Sequence, residues 1–318
     1  MTNDYWRERA KRIFKIEEKN DNEMIKKIVE IINEMIDDIE KIIYEFYMKY
    51  AEKEGLTYQE AKKRIDEFDV HKFRKKAKEY VENKDFSDKA NHELSKYNTK
   101  MYISRERLLM KQLGLIITHA YAKLESQFFN YLESAYMRAI KEQAGVIGEN
   151  VSIKPHHVET IVKYPFEGDE WSNRLWKQAK AIKKTVEKTV RHVIMRGRHP
   201  KEFVKELKKE SGNTTYEAKR LLITETARMQ TLAAKERMLK ENGEDAEYEY
   251  IAKLDSKTSD TCRNLDGKVF KVKDMTPGEN APPMHPFCRS TVGPHINEEE
   301  YEEWLEDTSE KYDLDNLF

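Results

Sequence analysis

Over the first 150 residues apolar positions recur every three or four places, and almost nothing interrupts them. There is no proline before Pro155, and Gly55 is the only glycine before Gly114. Glycine and proline are the residues most costly inside a helix, so their absence predicts long ones. Ile25, Ile28, Ile32, Met35, Ile39, Ile42 and Phe46 step alternately by three and four, with Lys, Glu and Asp between them. That is the seam of about three heptads. Gly55 and Thr57 break and recap the chain, and shorter amphipathic helices are expected at 58–67, 70–82 and 86–97. A second long helix follows over 104–143, with Leu109, Leu113, Ile117, Ala120, Leu124, Phe128, Tyr131 and Ala135 on one face and Gly145 and Gly148 at its end. Packing the isoleucine seam against this helix as an antiparallel hairpin avoids an association cost, and the segment between them supplies the return path.

The pattern changes after residue 150. Pro155 and Pro165 suggest a partly extended connector over 151–168, and helical periodicity resumes at 170–196, 200–210 and 216–241, closed by Glu241-Asn-Gly243. Tyr248-Glu-Tyr250-Ile-Ala alternates as a strand does. Residues 268–272 read as its hairpin partner, with Asp266-Gly267 as the tight turn between them. Glu298-Glu-Glu-Tyr-Glu-Glu-Trp304-Leu305 reads as a short helix leading into a frayed acidic tail. The expectation is a mainly α protein, with an elongated helical N-terminal region, a helical middle and a small α+β C-terminal cap. Its divisions fall at 1–150, a long-helix arm or bundle; 151–243, the helical middle; 244–297, the cap; and 298–318, the tail.

Composition narrows the classes. With 37% charged and 38% hydrophobic residues in a chain of 318, solvent-washed helices are favoured over one thick core. A net charge of −1 supplies no global field toward nucleic acid, so any such affinity must be local. Two cysteines make no disulfide framework, which suits a reducing compartment. The opening Met1-Thr-Asn-Asp-Tyr-Trp lacks the basic and apolar regions of a secretory signal, and no apolar run approaches membrane-spanning length. A soluble protein made in a cytoplasm is therefore expected.

Local charge appears between Trp171 and Lys201, where Glu187 is the only acid. Facing it are Arg174, Lys177, Lys180, Lys183, Lys184, Lys188, Arg191, Arg196, Arg198 and Lys201, behind which Leu175, Ala179, Ile182, Val186, Val190 and Val193 form an apolar stripe. A basic face with an apolar back is what a phosphate-tracking helix needs, and lysines on a backbone demand no particular base sequence. The bland reading is a solvated face neutralised by the acidic tail or the N-terminal helices.

Candidate chemistry is confined to the stretch from Asp255 to Arg289. It holds both cysteines and four of the eight prolines: Asp255-Ser-Lys-Thr-Ser-Asp260-Thr-Cys262-Arg-Asn-Leu-Asp266-Gly267-Lys-Val-Phe270, then Pro277-Gly278-Glu-Asn-Ala-Pro282-Pro283-Met-His285-Pro286-Phe-Cys288-Arg289. Cys262, His285 and Cys288 have metal-ligand chemistry, and a structural zinc would need a fourth ligand from Asp255, Asp260, His295 or water. The alternative is a small loop-rich core pinned by hydrogen bonds around buried cysteines. A nucleophilic or general-base site can also be drawn from a Cys–His pair, or from Glu225 with Asp260 and His285. No phosphate loop, nucleophile elbow or His-Glu-x-x-His helix accompanies it. Arg220, Glu225 and Arg228 read more simply as buried or interface ion pairs at helical spacing, on a helix that packs the small domain.

These motifs resemble those of the phage head-morphogenesis (minor capsid, Mu F-like) proteins. The resemblance rests on Asp-Ser-Lys-Thr-Ser-Asp-Thr-Cys262 through Phe270 and on Pro277 through Ser290. It extends to Trp171-Ser172-x-Arg174-x-Trp176, to Ala218-Lys-Arg220-Leu-Leu-Ile-Thr224-Glu225-Thr-Ala-Arg228, and to the opening Tyr5-Trp6. Two departures stand out. Many members carry further cysteines where this chain has Ser259 and Ser290, and the Thr-Glu pair follows Ile223 rather than an arginine. The resemblance implies a minor component of a tailed-phage head, with no catalytic step. Its implied partners are the portal protein, capsid or scaffold components and packaged double-stranded DNA. The implied location is the virion head interior, and the host cytoplasm during assembly. Arg220, Thr224, Glu225, Asp255, Asp260, Asp266, Gly267, Pro283 and Arg289 would be its structural motif. The competing class is a metal-dependent hydrolase or transferase using the Cys/His/Asp cluster. Toxin extensions occur in the family, and a chain ending at Phe318 is expected to carry none. A DNA-binding regulator would need a recognition helix that the sequence does not show.

Overall fold

In the computed structural model of the chain, residues 3–50, 67–82, 86–95, 105–144, 154–196 and 200–295 are described. Among them lie eight α-helices: α1 (Asn3–Tyr50), α2 (Glu67–Glu82), α3 (Asp88–Ser95), α4 (Arg105–Ala144), α5 (Pro155–Lys163), α6 (Trp171–Arg196), α7 (Pro200–Asn242) and α8 (Asp260–Leu265). Three strands, β1 (Glu247–Ile251), β2 (Val269–Lys271) and β3 (Thr291–His295), form an antiparallel sheet in the order β2-β1-β3. The fold is thus mainly α with a small C-terminal α+β region. The expected helix over 58–67, apart from Glu67, and the tail helix lie outside the described residues.

Two compact units divide the chain. One comprises Met1–Asn22, Leu132–Val162 and Leu222–Phe318; the other comprises Glu23–Tyr131 and Lys163–Leu221. In the second unit α1 carries the buried stripe Met24, Ile28, Ile32, Met35, Ile36, Ile39 and Ile43, while Ile25, Ile42 and Phe46 are only half-buried. The stripe therefore follows the period of a straight helix rather than a 3.5-residue seam. It runs antiparallel to α4, where Glu34 meets Lys123 at 3.7 Å, and the expected hairpin packing is found. In the first unit, Glu17 takes both Nε and Nη2 of Arg138 at 2.8 Å and Arg9 lies 3.8 Å from Glu142, again antiparallel. One apolar face was expected on α4, yet residues 113–118 are all buried. A helix enclosed on all sides shows no amphipathic face.

Three boundaries differ from expectation. Helix α5 replaces the extended connector, because Pro155 occupies the first helical position, where its missing N–H is no loss and its fixed φ suits the helix. Pro165 then leads into a tight turn with positive φ at Glu167 and Gly168, bridged between Phe166 and Asp169. Helix α7 runs unbroken through Gly212, where the expected pattern stops at 210. Phe203, Leu207, Thr214, Ala218 and Leu222 keep one stripe buried across the glycine. The two-residue hairpin at Asp266-Gly267 does not exist, since α8 and its flanking loops fill the space between β1 and β2. The strands do pair as expected, Tyr248 opposite Phe270.

The sheet of the first unit is covered on both faces. Tyr248 packs with Ala234 and Met238 of α7, Val272, Met275 and Ala281. On the other face Arg7 of α1 bonds Glu249, and a Cβ at Gly293 would lie 3.5 Å from that of Trp6 and 3.0 Å from Cδ1 of Ile251. A larger residue there would require Ile251 to shift by a few tenths of an ångström. Pro294 interrupts no ladder that matters, because β3 is an edge strand.

Candidate functional site

The Cys/His centre is assembled from three pieces of the first unit. Helix α8 is short, and Ser259 caps it by accepting a hydrogen bond from the Cys262 amide at 3.2 Å. That cap fixes the inward aim of the Cys262 side chain, which is 2% exposed. The second piece is the loop Pro282-Pro283-Met-His285-Pro286-Phe-Cys288, with Pro283 buried and the Cys288 amide donating to the His285 carbonyl at 3.1 Å. Phe287 adopts positive φ, and its amide donates to the Thr224 hydroxyl of α7 at 3.2 Å. Strand β1 is the third piece: Tyr250, on the same side as Tyr248, donates its hydroxyl to the Cys262 sulfur at 3.2 Å.

Cys262 Sγ lies 3.2 Å from His285 Nε2 and 3.8 Å from Cys288 Sγ. The three donor atoms all fall within 4.8 Å of one another. His285 Nδ1 lies 2.8 Å from the Pro286 carbonyl, an oxygen that only accepts, so Nδ1 carries a proton there and Nε2 is the nitrogen turned toward the Cys262 sulfur. The two thiols split. The hydrogen bond from Cys288, helped by the hydroxyls of Ser259, Ser290 and Tyr250, lowers Cys262 below the ordinary thiol, whereas the same bond and burial raise Cys288 above it. The buried tyrosine hydroxyl is likewise pushed up, chiefly by burial. Tyr250, Ala252, Cys262 and Cys288 form one apolar cluster around this polar centre.

Charged residues of the motif brace the loops. Asp255 takes both Arg289 nitrogens at 2.7 and 2.8 Å and accepts from the Lys257 amide at 2.8 Å. The Arg289 bonds hold its carboxyl well below the usual carboxylate range. Asp266 accepts from the Ala252 amide at 2.8 Å and lies 3.6 Å from Arg7. Gly267 follows at φ +78, where its amide bonds the Tyr250 carbonyl, and a Cβ would meet Arg7 at 3.2 Å. Asp260 is exposed at the first turn of α8. On α7, Glu225 and Arg228 form a buried pair at 2.6 Å, 0% and 2% exposed, and Arg228 also reaches the Val162 carbonyl at 3.3 Å. Arg220, in the second unit, pairs with Glu217 at 2.7 Å. Neither Asp255, Asp260 nor His295 joins the group of converging donor atoms among the described residues. Glu225 is spent on Arg228 rather than on His285.

The basic helix α6 lies in the second unit. Leu175, Ala179, Ile182, Val186 and Val190 are buried as expected, with Trp171 stacked on Phe128. Its basic residues divide into two sets. Arg174 bonds the Phe166 carbonyl and Lys177 pairs with Asp169 at 2.6 Å, so both serve the turn before the helix. Lys180, Lys184 and Lys188 stand exposed at i, i+4 and i+8, and no ion pair joins them to a described residue; Arg191 is also exposed and Lys183 half-buried. The side chain of Arg196 and all of Arg198 lie outside the described residues. The partners that sequence reading missed at the Cys/His centre are Tyr250 and the hydroxyls of Ser259 and Ser290. Only the capping spacing of Ser259 before Cys262 signals one of them.

Fold and centre together define a class: a helical protein whose C-terminal region closes a small antiparallel sheet around a Cys/His loop. Residues 184–293 match the family described as Phage Mu protein F like protein. This third of the chain is similar to the phage head-morphogenesis proteins, as the motifs imply, and it holds Lys184, Lys188, the Thr224-Glu225 pair and all three Cys/His groups. No curated protein and no solved structure matches the chain. No described helix is long and apolar enough to cross a membrane.

Proposed function

We propose that this protein is a minor, non-catalytic component of a tailed-phage head that contacts packaged DNA without reading its sequence. The observation that carries the reading is the coincidence of the family match over 184–293 with the exposed line of Lys180, Lys184 and Lys188 running into it. Successive lysines of that line sit about 6 Å apart along the helix axis, within reach of one strand's phosphates. The N-terminal helical region or the acidic tail docks on a protein partner, the portal first and capsid or scaffold components next. The protein resides in the head interior after assembly in the host cytoplasm, and it assists head assembly and genome delivery. The Cys/His centre and the Asp255–Arg289 pair hold the C-terminal region together, and a structural zinc suits the donor set.

Titration against random-sequence duplex DNA at several salt concentrations tests the DNA contact. Three phosphate contacts give a slope of log K against log salt of about −3, uniform across sequences. Replacing Lys180, Lys184 and Lys188 by Glu is expected to abolish both binding and slope. Binding that survives the triple variant sinks the assignment to α6, and no binding at low salt leaves a protein–protein assembly factor whose partner is sought at the portal.

A further inference from the structure

We propose that Cys262, His285 and Cys288 bind one thiophilic divalent cation, zinc by its chemistry, with a neutral water at the fourth position. This rests on the structural reading of the C-terminal region given above, and it names the ligand of that centre.

Distances come first. A tetrahedral zinc with Zn–S of about 2.3 Å and Zn–N of about 2.0 Å spans about 3.8 Å between two sulfurs and about 3.5 Å between sulfur and nitrogen. The sulfurs lie 3.8 Å apart, and Cys262 Sγ lies 3.2 Å from His285 Nε2. The two edges that meet at Cys262 are thus within a few tenths of an ångström of a metal tetrahedron, and the third closes within 4.8 Å. The imidazole is also oriented for the purpose. Its Nδ1–H is held by the Pro286 carbonyl at 2.8 Å, the backbone support that metal-ligating histidines use, which leaves Nε2 facing the sulfurs.

Charge selects the fourth ligand. Two thiolates and a neutral imidazole balance a divalent cation, so the buried centre is neutral when loaded. A carboxylate at the fourth position would leave an unpaired negative charge in a region where both cysteines are buried. Asp255 is committed to Arg289 by two bonds, and the converging group holds no carboxylate among the described residues. A neutral water is therefore the ligand that completes the tetrahedron. Soft thiolates with one imidazole favour zinc over magnesium or calcium, which require oxygen donors.

Cobalt(II) is the probe. The full chain, stripped by a chelator, is titrated with cobalt alone and then with zinc in competition, and thermal melts are recorded alongside. Expected are thiolate-to-cobalt charge-transfer absorption and d–d bands of tetrahedral intensity, saturating at one ion per chain, displaced by zinc and lost in Cys288→Ser. A wild-type titration without thiolate charge transfer overturns the metal centre. The melts separate this proposal from the reading beneath it. If cobalt is silent but Cys288→Ser melts lower, the metal is wrong and the structural role stands; if Cys288→Ser melts unchanged, the structural role itself falls.

Discussion

His119 makes the second unit sensitive to acid. Its ring stacks on Tyr80 with centroids 3.8 Å apart and meets Phe86 edge-on, and burial, assisted by the nearby charges of Lys123 and Lys76, lowers its pKa from 6.5 to about 4. The fold holds this imidazole neutral while the unfolded chain protonates it. Its contribution is therefore whole above pH 6.5 and is lost as pH falls from 6.5 toward 4, with no further loss below. Allowing for the solvent that reaches the ring, the loss is roughly 1–3 kcal/mol. Denaturant melts at both ends of that window measure it, and His119→Gln is expected to flatten the difference; an equal loss in the variant places the acid sensitivity elsewhere. At this scale rarity made some of the chemistry legible. Two cysteines and one histidine in a proline-rich stretch announce a centre. The hydroxyls of Tyr250 and Ser290 around Cys262 do not, because bonds to that sulfur depend on strands brought in from elsewhere. Glu225 and Arg228 show the same division. Buried or interface pairing at helical spacing could be read from the chain, but not that Glu225 takes Arg228 while Arg220 pairs with Glu217.

Helices were legible where glycine and proline are absent, and misplaced where a breaker is tolerated by its position. Pro155 starts α5 rather than ending order, and Gly212 passes through α7 because Phe203, Leu207 and Thr214 continue the buried stripe around it. On α1 the sequence pattern favours Ile42, while the fold buries Ile43, 3% exposed, and leaves Ile42 half-buried beside Phe73, Leu115 and Ile116. Ile43→Ala is expected to cost about 2–5 kcal/mol, and Ile42→Ala about half as much or less. Urea unfolding of the two variants decides the register, and equal costs would restore the heptad seam. Helix α6 shows how neighbours refine a charge run. Arg174 and Lys177 are taken by the turn at 166–169, so the line free for phosphate narrows to Lys180, Lys184 and Lys188.

At the scale of the molecule, the beginning of the chain is part of the same compact unit as its C-terminal sheet. Arg7 bonds Glu249 of β1, which is 7% exposed, Glu18 takes Lys253 at 2.7 Å, and Trp6 abuts Gly293 of β3. Replacing Arg7 by Met strands a buried carboxylate; with Arg7 itself about one third exposed, the expected loss is about 1–3 kcal/mol. Faster hydrogen exchange in β1 and β3 of Arg7→Met checks it, and unchanged exchange would mean that α1 leaves the sheet's stability alone. None of this closure was visible in the pattern, which placed the first residues in a separate arm. Neighbouring residues alone carried the mainly helical class, the pairing of the strand at Tyr248–Tyr250 with the segment at 268–272 and the Cys/His loop, since periodicity, breakers and rare donors are local. Long-range packing was needed to set the Tyr248–Phe270 register, to bury Glu249, to complete the sheet with β3 despite Gly293 and Pro294, and to bring the Tyr250 hydroxyl to Cys262. Burial and partnership join residues as far apart as Arg7 and Glu249, and no local pattern encodes the contact that makes them neighbours.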